Sequence, residues 1–265
     1  TLFRLLTSAR EGTRPGQHGK TDANVGVSRV PDERLDRLTA MFNPRKRVPA
    51  TVEFADMAVA GHGHAKDLLD VAPFRSADAL VHVVRAFQDE LVPHPAGSID
   101  PARDARAMED EVILADLLVV ERRLDRLDKD LKKTPTADLR REQEILLACK
   151  AALENGQPLR ALGLAGDDLR RLRGFQFLSA KPLLLVLNVD ESHIATLGDA
   201  IERAGLGAFL EGAATKAAAV CARIELEIAE LEPADAAAFL ADLALAESGL
   251  DRVIRASYDL LGYMS

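Results

Sequence analysis

The segment Leu183-Leu184-Leu185-Val186-Leu187-Asn188-Val189 places six apolar residues in seven positions without alternation. A strand with one wet face alternates apolar and polar residues, whereas an unbroken apolar run marks a strand covered on both faces. Strands of that kind belong to α/β proteins, where helices cover both sides of a mostly parallel sheet. In open α/β sheets, ligands bind outside the carboxyl ends of the strands. Here that end carries Asn188, and Glu191 follows three residues later. A carboxamide can serve ring nitrogens of a base or the polypeptide around it; an ionised carboxylate accepts hydrogen bonds but cannot donate them. A strand followed by a polar turn has the same local appearance, so the remaining segments decide between the two.

A chain of 265 residues is long enough for a sizeable core in one or two domains. Its net charge of -8 argues against a generally basic, nucleic-acid-coating surface, and no DNA partner is expected. Two cysteines, Cys149 and Cys221, cannot make a disulfide framework and fit a reducing cytoplasmic setting. No apolar run approaches the length of a membrane span, and no membrane partner is expected.

Taken in order, residues 1–7 have helical spacing and residues 8–23 form a polar, Gly-rich loop. Helical periodicity returns over Arg34–Phe42, followed by the basic turn Pro44-Arg45-Lys46-Arg47, read as a solvated loop. Thr51–Asp56 is a strand ending in a carboxylate, which can hold a magnesium-bound water beside a triphosphate. His62 and His64 could join His18 on a metal, but no third ligand has diagnostic spacing and solvated loop histidines are the default. Asp78–Phe87 reads as a second buried strand, with His82 as a packed structural histidine. From Asp100-Pro101 the period changes: Ile113, Leu117, Val120, Leu124, Leu127 and Leu131 follow a heptad seam. Thr134-Pro135-Thr136 interrupts it, Leu139, Leu146 and Leu153 repeat at seven, and Gly156 is a C-terminal stop. Two helices joined by so short a break should pack antiparallel, with Leu117, Leu124 and Leu131 against Leu139, Leu146 and Leu153. Beyond the organising strand, Leu197–Ala204 is helical, residues 217–222 form a last strand, and closing helices begin near Leu231. Cys221 is read as a buried, inert thiol.

Several of these segments together resemble the YchF subfamily of the Obg-like P-loop NTPases. Asn188-Val189-Asp190-Glu191 is similar to that subfamily's altered base-reading motif, Asn-x-x-Glu, in place of Asn-Lys-x-Asp. Asn24-Val25-Gly26-Val27, Val30-Pro31-Asp32-Glu33-Arg34-Leu35-Asp36 and Asp78-Ala79-Leu80-Val81-His82-Val83-Val84-Arg85-Ala86-Phe87 resemble its segments in collinear order. Cys221-Ala222-Arg223-Ile224-Glu225 resembles Cys-Ala-x-x-Glu, the loop behind the base, and residues 249–258 resemble a closing helix. The resemblance implies an α/β P-loop NTPase (G-domain) fold with an inserted antiparallel helical hairpin. It places the NTPase domain at residues 1–99 and 178–265 and the coiled-coil insertion at 100–177. It implies binding and hydrolysis of ATP (or GTP) with Mg2+, and a ribosome partner. Asn188, Val189 and Glu191 would face the base, Cys221 and Ala222 would support it, and Asp56 would lie near the metal. Glu191 in place of Asp implies a preference for ATP.

The chain also departs from the family. Lys20 stands where a switch Thr is expected, with Thr21 beside it, and Val59 stands where the Gly of Asp-x-x-Gly would be. The phosphate loop Gly-x-x-x-x-Gly-Lys-Ser/Thr would precede Thr1, and a C-terminal TGS domain would follow Ser265. The expectation is therefore a piece of a longer parent, inactive alone, with a gap between the strand ending at Asp56 and the strand of Leu80–Phe87. A nucleotide-independent module docking through its helical hairpin is the alternative.

Overall fold

The computed structural model describes residues 1–8, 23–57, 72–164, 166–212 and 214–263. Lys20, Thr21 and Val59 of the expected switch motifs, and His18, His62 and His64, lie outside these residues. The elements are α1 (Leu2–Ser8), β1 (Ala23–Arg29), α2 (Glu33–Phe42), β2 (Thr51–Met57), β3 (Leu80–Ala86), α3 (Pro101–Lys133), α4 (Ala137–Glu154) and α5 (Gly166–Leu172). They continue with β4 (Leu183–Val189), α6 (Ala200–Arg203), β5 (Thr215–Val220), α7 (Ala222–Glu230), α8 (Pro233–Asp242) and α9 (Gly249–Leu260).

β4 is the middle strand of a parallel sheet ordered β3-β4-β5. Its register sets Leu185 opposite His82 on one side and Ala217 on the other. The absence of alternation in its sequence follows from its two covered faces. Leu184 and Val186 turn into a core with Leu2, Leu5 and Leu6 of α1 and Leu250, Val253 and Ile254 of α9. Leu183, Leu185, Leu187 and Val189 turn into the opposite core with Ile194, Leu197, Ala200 and Ile224. Burying each such side chain contributes about 1.5–3 kcal/mol, so this strand anchors the molecule from both sides.

β1 and β2 form a separate antiparallel ribbon, from Ala23 opposite Met57 to Arg29 opposite Thr51. Among the described residues no ladder joins β2 to β3. The ribbon is held to the parallel sheet by shared side chains: Val52 and Phe54 lie in the same core as Leu184 and Val220. Gly26 lets α1 approach closely, because a Cβ there would overlap the Thr7 side chain.

α3 and α4 form the hairpin. Asp100 accepts from the Arg103 N–H at 3.0 Å and Pro101 opens α3; Thr136 accepts from the Leu139 N–H at 3.2 Å and starts α4. The antiparallel course is fixed by Arg123 clasping Glu142 with both carboxylate oxygens at 2.7 and 2.8 Å, and by Gln143 on Asp128 and Lys150 on Glu121. The buried seam comprises Ile113, Val120, Leu124 and Leu127 facing Ile145, Leu146, Cys149 and Leu153, with Leu117 and Leu139 packed half-buried against it. Leu131 is a correction to the heptad reading. It is half-buried but falls outside the cluster, beside the turn where the helices stop at Lys133 and restart at Ala137.

A polar junction roots the hairpin in the body. Asp116 of α3 is fully buried and accepts from the N–H and hydroxyl of Ser179 at 2.7 and 2.8 Å, with Arg75 at 3.3 Å. Arg160 reaches Glu109 at 2.6 Å and Thr215 of β5 at 3.2 Å. No helix among the described residues is long and apolar enough to cross a membrane.

Candidate nucleotide-base site

The carboxyl ends of β4 and β5 lie side by side, because Asn188 pairs with Val220 in the parallel ladder. The two following turns are therefore neighbours, one opening a 3₁₀-helix at Glu191 and the other opening α7 at Ala222. α7 starts without a side-chain cap from its own N-cap residue, Cys221. Asn188 supplies the missing acceptor: its Oδ1 takes the Ala222 N–H at 3.0 Å. One of the helix's orphan amides is thereby satisfied, and the carboxamide is fixed with its Nδ2 donors still available at the sheet edge.

The two acidic residues after Val189 have different tasks. Asp190 Oδ1 accepts from the Ser192 N–H at 3.0 Å, capping the 3₁₀-helix, and that bond holds its carboxyl below the usual carboxylate range. Glu191 points instead across to the β5 side, where its Oε1 lies 2.5 Å from Arg223 Nε. Both Glu191 and Arg223 are open to solvent, with side chains 40% and 77% exposed.

The structure thus brings Asn188, Glu191 and Ala222 together. Val189 is buried, with its side chain in the core beside Leu187, so only its backbone can reach a ligand. Cys221 is also buried, and burial pushes its thiol up, as it does Cys149 to about 11, which disfavours the reactive thiolate. Asp56 stands elsewhere, exposed near the end of β2 opposite Asn24 in the other sheet. Among the described residues no cluster of three or more His, Cys, Asp or Glu side chains could hold a metal by itself.

Two residues of this region escape a reading of spacing alone. Glu225, buried in α7, accepts from the N–H groups of Gly249 and Leu250 at 2.7 and 3.3 Å and so caps α9. Gly249 must be glycine for this contact, since a Cβ would come within 2.8 Å of Glu225 Oε1. Arg223 occupies an unspecified position of Cys-Ala-x-x-Glu, and its partner lies on a different turn. Only the charge at that position signalled a role.

No protein-family model matches the chain. Curated relatives of the chain carry the name ribosome-binding ATPase YchF. The chain is 38% identical to that of Bacillus subtilis over 266 residues, covering 99% of this chain and 72% of the relative. It is 40% identical to that of Haemophilus ducreyi and 35% identical to that of Escherichia coli O157:H7, each covering 98% of the chain and 72% of the relative. The solved structure of the Schizosaccharomyces pombe YchF GTPase superposes with a TM-score of 0.77 at 23% identity, over 98% of this chain and 71% of that one, which establishes the same fold. With an α/β P-loop NTPase fold, a carboxamide and a carboxylate at the edge of β4, and these identities along its whole length, the chain belongs to the YchF family.

Proposed function

We propose that this chain acts as a ribosome-associated NTPase that binds and hydrolyses ATP in preference to GTP. The observation that carries the reading is Asn188, locked by the Ala222 amide, beside a carboxylate one residue type longer than the Asp of a guanine-reading site. The extra methylene of Glu191 displaces the acceptor and weakens, without abolishing, its pairing with a guanine N–H pair. The names of the curated relatives support ATP and the ribosome as partners. Residues 1–99 and 178–265 form the NTPase domain in this reading, and 100–177 the helical insertion.

Mg2+ suits the donor set. It is commonly held by one or two carboxylates together with substrate phosphates and retained waters, not by an all-protein cage. Asp56, a lone exposed carboxylate at a strand end, fits the holding of a magnesium-bound water, and bound magnesium would neutralise charge on the phosphates. Asn188 orders the loop behind the base and offers its amide donors to ring nitrogens, while Asp190 keeps the following turn in place.

Calorimetric titration of the full-length polypeptide with ATP and GTP in magnesium buffer tests this reading. Tighter binding of ATP is expected; clear preference for GTP rejects it. A specific observation also favours the nucleotide-independent docking reading: Leu114, Leu118 and Leu147 are exposed on the hairpin. Ribosome co-sedimentation that persists when nucleotide binding is absent would select that reading.

A further inference from the structure

The bridge between Glu191 and Arg223 spans the two turns that frame the base site, and we infer that Arg223 selects the base. By engaging the Glu191 carboxylate it removes the acceptor a guanine edge needs and sets guanidinium donors in its place. The inference rests on the nucleotide reading above.

The chemistry follows from the two purine edges. Guanine presents N1–H and N2–H donors side by side, a match for the two oxygens of one carboxylate. Adenine presents an N1 acceptor beside its N6–H donors. With Oε1 2.5 Å from Arg223 Nε, the Glu191 carboxylate is ion-paired, so the guanidinium offsets its charge and crowds one of its two oxygens. Arginine carries five N–H donors, and the 77% exposure of the Arg223 side chain leaves the guanidinium open to a ligand. Those donors suit a ring acceptor and oppose a ring N–H.

The placement is built into the backbone. Arg223 follows Ala222, whose N–H is held by Asn188, so the turn carrying the guanidinium is fixed by the carboxamide of the same site. Glu191 follows Asp190, whose Oδ1 is engaged by the Ser192 N–H and which thereby fixes the turn. The base-facing carboxylate and its cation are thus each positioned by a neighbour with another task.

The test uses the full-length polypeptide, titrated calorimetrically with ATP and with GTP in magnesium buffer as wild type, Arg223→Ala, and the double variant Glu191→Ala/Arg223→Ala. Arg223→Ala is expected to raise GTP affinity relative to ATP by about three- to tenfold, the scale of a freed charge-assisted hydrogen bond at an exposed site. The double variant is expected to lose that gain, because the freed Glu191 oxygens supply it. An unchanged ratio in Arg223→Ala, or a gain that survives removal of Glu191, overturns the inference while leaving ATP binding by the wild type intact. A wild type that binds neither nucleotide overturns the base-site reading itself, and this inference with it.

Discussion

Glu225 is a carboxylate buried for a structural purpose. Burial pushes its carboxyl up, while the amides of Gly249 and Leu250 pull the other way by favouring the charged form. Glu225→Ala leaves two buried N–H groups at the start of α9 without acceptors. At about 1–3 kcal/mol for each unsatisfied group, the loss should reach roughly 2–4 kcal/mol in urea denaturation, and Glu225→Gln, which retains one acceptor, should lose less. Equal losses would mean that the capping bonds are not what stabilises this helix. His82 gives a second residue-scale outcome. Burial lowers its imidazole below the ordinary 6.5, against the opposing attraction of Asp104. The unfolded chain therefore takes up a proton that the folded chain resists. The stability contributed by neutral His82 is full above pH 6.5 and is lost as pH falls from there toward the depressed folded value. The drop in unfolding free energy between pH 7.5 and 5.5 should be smaller in His82→Gln than in the wild type; identical drops would remove His82 as the cause.

At the scale of elements, much was legible because burial imprints a period. β4 reads directly as a strand with two covered faces, and structure and sequence agree on it. The hairpin reads from its heptads and caps, apart from Leu131, which lies half-buried beside the turn and outside the seam. What the sequence hides is contact between distant positions. Nothing local links Glu225 to Gly249, or Arg223 to Glu191, because sheet order and not spacing brings those pairs together. The neighbourhood of Asn188, Glu191 and Ala222 was legible from motif; the ion pair of Arg223 with Glu191 and the burial of Val189 were not. The hairpin seam supplies the prediction at this scale. Leu146 is fully buried between Cys149 and the facing side chains of α3. Leu146→Ala should cost about 2–5 kcal/mol, while Leu131→Ala, outside the cluster, should stay within about 0.5 kcal/mol. Thermal melts giving comparable losses for the two would contradict the observed seam.

On the scale of the whole molecule, the two sheets differ in how they are held. In the parallel sheet β4 has a ladder on each side and a packed core on each face. In the ribbon, β1 and β2 have only each other among the described residues, and their link to the body is the shared core of α1, Val52 and Phe54. A two-stranded ribbon has little stability of its own and depends on what packs against it. Opening of the ribbon breaks one ladder and part of one core, whereas exposing the β4 amides breaks two ladders and both cores. Local openings of this kind range in free energy from near zero up to that of global unfolding. Native-state hydrogen exchange should therefore place the Leu184–Leu187 amides among the slowest, and the paired amides of β1 and β2 at least about tenfold faster. The ribbon should also accelerate selectively when α1 is weakened by Leu6→Ala, since Leu6 lies in the core that joins the sheets. If β1 and β2 exchange as slowly as β4, or if Leu6→Ala accelerates both sheets equally, the two sheets open as one cooperative unit coupled through the shared core.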